Sequence, residues 1–217
     1  RKIWGAILPF YSVLYEELLH HLREHAQTAG CKLEYFLSHN NWEEEIGLVG
    51  RMIADRCEAI VVIPTLDESR TASFYRRLVS RNTTVVLMDH TMTGSFFSYA
   101  IQSYDLGVRR AVEFLLRETP GAVAFVRSGI LSGRNLVLEM MEETYAQTLE
   151  TGRPSCRPLF IDSAMSIDIQ WVRSEGVTGF LCCDDFIAIR VIDHLRDLSM
   201  EVPGDARVVG YGNTSLA

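Results

Sequence analysis

The chain has little of what a membrane protein or a nucleic-acid binder requires. No apolar run approaches the roughly 18 to 20 residues that span a bilayer, because the charged stretches 16–25 and 43–51 interrupt the richest early apolar segments. The formal net charge is −7, so the chain lacks the basic surface that neutralises nucleic-acid phosphates. We therefore expect it neither to enter a membrane nor, by itself, to bind DNA.

Cysteine is also sparse, and its spacing indicates neither a disulfide framework nor a metal motif. The five cysteines include no C-x-x-C pair, and an odd number cannot pair completely within one chain. Cys182 and Cys183 are adjacent on a predicted strand, where neighbouring side chains point to opposite faces and pair poorly. This pattern favours a reducing, cytoplasmic setting.

What the chain does have is length and apolar content. Its 217 residues, 47% of them hydrophobic, suffice for one large α/β domain or for two lobes of about a hundred residues each. The chain begins with Arg1 rather than Met, so we expect it to be a piece of a longer protein. The lack of a signal peptide therefore carries no information about its location.

Short apolar runs alternate with segments of helical period along the whole chain. This alternation is typical of βαβ units and predicts an α/β fold with a parallel sheet. Strands are predicted at residues 3–8, 32–37, 59–63, 85–88, 98–101, 122–126, 158–161, 179–182 and 207–209.

The segments of helical period lie between these strands. Helices are predicted at residues 14–28, 42–54, 68–79, 105–117, 134–150, 167–175 and 185–198. The polar segment 89–97 is the longest break between strand signals before midchain, and a second βα series begins after residue 102. We therefore predict an N-terminal lobe over residues 1–102 and a C-terminal lobe over residues 103–217.

The last part of the chain, residues 180–217, indicates a binding cleft. It contains a buried strand, a pair of acids that open a helix, a loop with a proline, and a second buried strand that ends in Gly210-Tyr211-Gly212. In doubly wound sheets, ligands bind outside the carboxyl ends of the strands. Asp184 and Gly212 are both predicted to lie at such ends.

Several motifs resemble the effector-binding core of the LacI/GalR family of bacterial transcription regulators. The tail DDFIAIRVIDHLRDLSMEVPGDARVVGYGN is similar to the family pattern nDxxAxgvxxaLxxxGxxvPxdvxVvGfdd. The segments DRCEAIVVIPT, TTVVLMDH and DLGVRRAVEFLL also resemble stretches of that core. The resemblance implies the periplasmic-binding-protein type I fold, which has two lobes, each a doubly wound, mainly parallel sheet flanked by helices.

The resemblance also implies a function. It predicts the effector-sensing domain of a cytoplasmic, homodimeric regulator or repressor, in which a sugar or related metabolite binds between the lobes. That ligand would modulate DNA binding by a helix-turn-helix headpiece preceding Arg1, and a closing segment would follow Ala217. A regulator of the arabinose type, which joins a different headpiece to the same core, has the same pattern. The resemblance implies no enzyme activity, cofactor or metal.

A transport protein is the main alternative. Periplasmic sugar-binding proteins share the fold but usually lack a tail of the VPGDARVVGY type. We therefore favour a regulator over a transport protein.

Carried over residue by residue, the resemblance implies ligand contacts after the first and fourth strands. Ser12 and Tyr15 match positions of a polar contact and an aromatic ring, and Tyr11 adds a nearby ring. The alternative for Tyr11 and Tyr15 is a half-buried place at the start of the helix. Asp89 and His90 stand where the family often has an Asp-Arg pair that grips hydroxyl groups. His90 replaces a permanent charge with a group that titrates near neutrality, and Asp89 has the alternative of capping the loop backbone.

In the predicted C-terminal lobe, the resemblance places Asp184 on the ligand and Asp185 at the helix cap. Met141 stands where the family has a helix-borne arginine. Arg134 lies two turns earlier on the same helical face and is a candidate replacement, although an arginine in a first turn is more often solvated.

Gly212 stands where the family presents an aspartate that binds hydroxyl groups, and Asn213 is the neighbour that could take a related role. The loss of this aspartate and of the family's arginine removes charge-assisted hydrogen bonds, each worth about 1.5 to 3 kcal/mol. We therefore expect an effector with fewer hydroxyl groups than a free hexose, or a pocket that has lost its ligand.

One segment of the first predicted helix also fits a metal-binding motif. His21, Glu24 and His25 fit the H-x-x-E-H spacing, which places two imidazoles one turn apart on a helix, and His20 adds a third. The motif lies on the predicted outer helix of the first βα unit, where a polar face explains it. A zinc enzyme is thus the remote alternative.

Overall fold

The structure, a computed structural model, describes residues 2–65, 73–75, 77, 84–89, 97–129 and 136–215. The chain divides into two compact units, residues 1–102 and 103–217. Each unit is a parallel sheet flanked by helices, so the predicted α/β fold class is confirmed. Among the described residues, no helix has the length and apolar character needed to cross a membrane.

The first unit contains a five-stranded sheet. Its strands are β1 (Lys2–Leu8), β2 (Cys31–Leu37), β3 (Ala59–Val62), β4 (Thr84–Met88) and β5 (Ser98–Ala100), in the order β2-β1-β3-β4-β5. Helices α1 (Val13–Thr28) and α2 (Trp42–Ala54) follow β1 and β2, and residues 73–75 and 77 are also helical. All four strand pairings are parallel.

The second unit repeats this winding with four strands. They are β6 (Ala122–Val126), β7 (Leu159–Ile161), β8 (Val177–Cys182) and β9 (Arg207–Val209), in the order β7-β6-β8-β9. The helices are α3 (Tyr104–Glu118), α4 (Leu136–Gly152), α5 (Ile169–Glu175) and α6 (Asp185–Asp197), with a 3-10 turn at Ala164–Ser166. In each unit, successive strands are added first on one side of the first strand and then on its other side. Doubly wound sheets bind ligands at the point where this order of winding reverses.

The central strands are buried on both faces. In β1, Ile7 belongs to the core formed with α2, whereas Ala6 and Leu8 belong to the core formed with α1. In β6, Phe125 packs with α3 and α4, whereas Ala124 packs with α6. Successive strand residues point to opposite faces, so an uninterrupted apolar run is what this burial requires.

Polar side chains begin most of the helices at the carboxyl ends of strands. Ser12 Oγ accepts a hydrogen bond from the Tyr15 N–H at 3.2 Å, and the Asn41 amide oxygen accepts from the first turn of α2. At α6 the cap is Asp184, whose Oδ1 accepts from the Ile187 N–H at 2.7 Å. The prediction that Asp185 caps this helix is therefore wrong: Asp184 has the extended backbone that a cap needs, and Asp185 is the first helical residue.

Tyr145 joins α4 to the sheet through a buried hydroxyl. Its oxygen lies 2.7 Å from the Val123 carbonyl oxygen and accepts from the Leu159 N–H at 3.0 Å. The side chain is fully buried. The hydroxyl therefore satisfies backbone groups of both β6 and β7.

Replacement of this hydroxyl is expected to destabilise the chain. Tyr145→Phe leaves the buried Leu159 N–H without its partner, which should lower the free energy of unfolding by about 2 kcal/mol. Urea unfolding measures the change, and Tyr99→Phe, at a side chain that is 58% exposed, is the matched control. A loss no larger than that of the control would mean that water replaces the hydroxyl.

Candidate functional site

In the first unit, polar groups meet at the carboxyl ends of β1 and β4. Tyr15, in the first turn of α1, donates its hydroxyl to Asp89 Oδ2 at 2.9 Å. Asp89 directly follows β4 in a left-handed conformation (φ 62°), and its N–H donates to the Ala100 carbonyl at 3.0 Å. The structure thus brings together Tyr15 and Asp89, which are 74 residues apart in sequence.

A small cavity lies beside this pair. Its volume is about 230 Å³. The lining residues, all from the first unit, are Leu14, Tyr15, Leu18, Met88, Asp89, Ala100, Ile101 and Gln102. An apolar wall with one carboxylate, one hydroxyl and one amide is the composition expected of a small-molecule subsite, although complete ligand pockets usually measure about 300 to 1,000 Å³.

The other predicted residues of the first unit lie near this edge with different roles. Ser12 caps α1, as described above. Tyr11 is 59% exposed, and a hydrogen bond with Glu16 raises the pKa of its hydroxyl. His90 lies outside the described residues.

Glu45 is a buried carboxylate that the sequence reasoning missed. It lies in the first turn of α2, is fully buried, and accepts hydrogen bonds from the Thr65 N–H at 2.6 Å and the Tyr75 hydroxyl at 2.7 Å. Burial raises the pKa of Glu45 from its ordinary value of 4.5 to about 6, and its two hydrogen-bond donors oppose that shift. Thr65 lies in the segment after β3. Through Glu45, helix α2 is therefore bonded to a segment at the same sheet edge as the ends of β1 and β4.

In the second unit, Asp184 and Asp185 have different hydrogen-bonding roles at the start of α6. Asp184 is half-buried, and burial raises the pKa of its carboxyl group. Asp185 is buried, and its Oδ2 accepts from the Thr214 N–H at 2.7 Å and from the Thr214 hydroxyl at 3.0 Å. Asp185 thereby holds the segment that follows β9, which carries Gly212 and Asn213.

The backbone explains why a glycine occupies position 212. Gly212 has φ 124°, a conformation that residues with a Cβ rarely adopt, and an added Cβ would lie 3.2 Å from Asp185 Oδ2. Asn213 is exposed and has φ 51°, in the left-handed region that asparagine tolerates. An aspartate side chain at position 212 would therefore start beside the carboxylate of Asp185.

Met141 and Arg134 complete the predicted set. Met141 is 2% exposed and packs in the core formed by α3, α4 and the sheet. Arg134 lies outside the described residues. A ligand contact by either residue stays a prediction.

A charged network at the ends of β6 and β7 was also missed. Arg127 follows β6, donates from Nε and Nη2 to Glu142 at 2.6 and 3.0 Å, and donates from Nη1 to Asp162 at 2.6 Å. Its guanidinium carbon lies 4.8 Å from the centre of the Phe160 ring. A charged residue directly after a buried apolar strand was the signal that could have indicated it.

Known proteins that are similar to this chain in sequence or fold include regulators and solute-binding proteins. No family model matches the chain. The arabinose metabolism transcriptional repressor of Halalkalibacterium halodurans is 21% identical over 204 residues, which cover 87% of this chain and 52% of the repressor. The chain thus spans about half the length of this curated relative.

Solved structures of both classes have similar folds. The transcription regulator CcpA of Lactococcus lactis matches with a TM-score of 0.79 and 16% identity, over 98% of this chain and 79% of that one. The sugar-binding protein of a sugar ABC transporter from Bacillus halodurans also has a TM-score of 0.79, with 16% identity over 96% of this chain and 74% of that one.

A third structure contains a bound sugar. It is a periplasmic binding protein/LacI transcriptional regulator from Alkaliphilus metalliredigens in complex with D-xylulofuranose. It matches with a TM-score of 0.77 and 14% identity over 99% of this chain and 79% of that one. At these identities the likeness establishes the fold and not the ligand.

The raised pKa of Glu45 predicts a pH dependence of stability. Since the folded state binds this proton more tightly than the unfolded chain, the contribution of Glu45 is complete below pH 4.5 and is lost as the pH rises through about 6. The loss corresponds to about 2 kcal/mol. Urea unfolding from pH 4 to pH 8 should show this loss of unfolding free energy in the native chain but not in Glu45→Gln.

An exposed carboxylate provides the control for this measurement. Glu113→Gln, on the outer face of α3, should keep the pH profile of the native chain. If the native and Glu45→Gln profiles run parallel, Glu45 does not titrate with a raised pKa.

Proposed function

We propose that this chain is the effector-sensing domain of a LacI/GalR-type transcription regulator. The two compact units are, in this proposal, the two lobes of that domain. A sugar or related small metabolite binds at the carboxyl edges of the two sheets. The bound ligand alters the affinity of a separate DNA-binding headpiece for its operator, within a homodimer in the cytoplasm.

The observation that carries the proposal is the Tyr15–Asp89 pair beside the cavity of the first unit. A carboxylate held in place by a hydroxyl can accept hydrogen bonds from ligand hydroxyl groups, and the apolar wall can contact a sugar ring face. Asp184 offers a second carboxylate at the corresponding edge of the other sheet. Similarity to the arabinose repressor and to the regulator folds supports the same function.

The proposed regulation requires that ligand binding be coupled to the positions of the helix ends and loops at the carboxyl edges of the sheets. Asp184, Asp185 and Glu45 hold helix ends and loops at these edges, so a ligand that bonds to the edges favours one arrangement of those segments. A ligand shifts an equilibrium only by its difference in affinity for the two arrangements. Allosteric couplings of about 1 to 3 kcal/mol change the affinity for the second ligand about 5- to 150-fold.

A transport function is the second candidate, because the sugar-binding protein from Bacillus halodurans has a similar fold. The two candidates differ in assembly, since a solute-binding protein of a transporter acts as a monomer. Sedimentation of the longest natural form of the protein distinguishes them. A dimer supports the regulator, and a monomer with a secretory leader supports the transport protein.

Effector binding is expected to depend on both carboxylates. A thermal-shift screen against pentoses, hexoses, sugar acids, sugar phosphates, polyols and nucleobases should find a ligand, because an effector at a hundred times its Kd adds about 2.7 kcal/mol of stability. The shift should be lost in Asp89→Asn and in Asp184→Asn. Both replacements keep the local structure, because asparagine caps helices and tolerates the left-handed conformation.

Asp193→Asn is the matched control for these variants. Asp193 is exposed on α6 and forms an ion pair with Arg196 at 3.6 Å, so the variant should retain the full thermal shift. If Asp89→Asn and Asp184→Asn bind the effector as tightly as this control does, the two carboxylates are not part of the site.

A further inference from the structure

Two imidazoles and one carboxylate converge on the solvent face of α1, outside the candidate effector site. His20, His21 and Glu24 each present one donor atom, and the three atoms lie within 4.8 Å of one another. His20 Nε2 is 3.6 Å from Glu24 Oε1, and His21 Nδ1 is 3.4 Å from Glu24 Oε2. We name these three residues the α1 cluster.

The α1 cluster differs from the arrangement that the sequence motif suggested. The H-x-x-E-H spacing pairs His21 with His25, yet within the described residues the converging group contains His20 and not His25. Helix geometry explains the exchange, because residues three and four apart are neighbours on a helix surface. Glu24 is three residues after His21 and four after His20, so its two oxygens face both rings.

The donor atoms of the α1 cluster are close enough together for one metal ion to bring all three into its coordination shell by small side-chain rotations. Zinc binds nitrogen and oxygen ligands at about 2.0 to 2.2 Å, so two ligands of a tetrahedral ion lie about 3.4 Å apart. The two separations between imidazole nitrogens and Glu24 oxygens, 3.6 and 3.4 Å, are close to this length and end on different oxygens of the carboxylate. The third separation, between the two imidazoles, is no longer than 4.8 Å.

The helix and its charges favour a cation at this position. The opposite face of α1 is anchored in the core by Leu19 and Ala26, so the three donors are held on a formed helix. The segment 16–25 contains three carboxylates and one guanidinium. Exposed ion pairs between His and Glu contribute little to folding, so the stability of α1 does not require all three groups to converge.

We propose that His20, His21 and Glu24 bind one divalent transition-metal ion such as zinc. Two imidazoles and a carboxylate suit zinc, copper and nickel, whereas magnesium and calcium prefer oxygen ligands alone. Three protein ligands leave a fourth position for water or for a donor from another molecule. The proposal does not depend on the function proposed above.

Calorimetric titration of the full chain with Zn²⁺ tests the site. We expect one ion per chain. Loss even of a group that only orients a ligand weakens metal binding by about 10- to 100-fold, so His20→Ala, His21→Ala and Glu24→Gln should each weaken it by at least that factor. His25→Ala, on the same helix but outside the α1 cluster, is the matched control and should leave the affinity unchanged.

Thiol binding is the competing explanation, and Co²⁺ distinguishes it. At the α1 cluster, Co²⁺ should give no sulfur-to-metal charge-transfer absorption, and the imidazole NMR signals of His20 and His21 should change with added Zn²⁺. The proposal is overturned by a thiolate spectrum that disappears in Cys156→Ser, which removes a partly exposed free thiol, by equal affinities in all the variants, or by a lack of binding at millimolar Zn²⁺.

Discussion

Burial of the parallel sheets on both faces is the constraint on which the remaining structure depends. The buried residues of β1 face helices on both sides of the sheet, Ile7 toward α2 and Leu8 toward α1, and β6 repeats this pattern with Phe125 and Ala124. Such strands leave no position for a polar side chain along their length. Polar groups therefore collect where the strands end, and in a parallel sheet all the carboxyl ends lie on one edge.

The polar groups at these edges first serve the fold. Asp184 caps α6, Asp185 holds Thr214, and Glu45 holds Thr65. Each of these bonds satisfies backbone N–H groups that would otherwise be costly to bury. A ligand at the same edge must add to these bonds or exchange with them. In the proposed sensor, this exchange would link ligand binding to the positions of helix ends and loops.

The same fold serves regulators and transport proteins, so the fold alone does not choose between them. The regulator from Lactococcus lactis and the sugar-binding protein from Bacillus halodurans have equal TM-scores with this chain, 0.79. What distinguishes the two classes is assembly and attached domains. The proposed regulator function is therefore supported by the motif pattern of the tail and by the similarity to the arabinose repressor, not by the fold.

The sequence by itself determined the elements of the fold, because periodicity is a local property. Each of the nine predicted strands overlaps a strand of the structure. Only the tertiary structure decided which polar groups meet. Arg127 is 35 residues from Asp162, and Tyr75 is 30 residues from Glu45. Such contacts depend on strand order and helix rotation, which leave no local pattern. The choice of Asp184 over Asp185 at the cap depended on backbone angles that residue spacing does not specify.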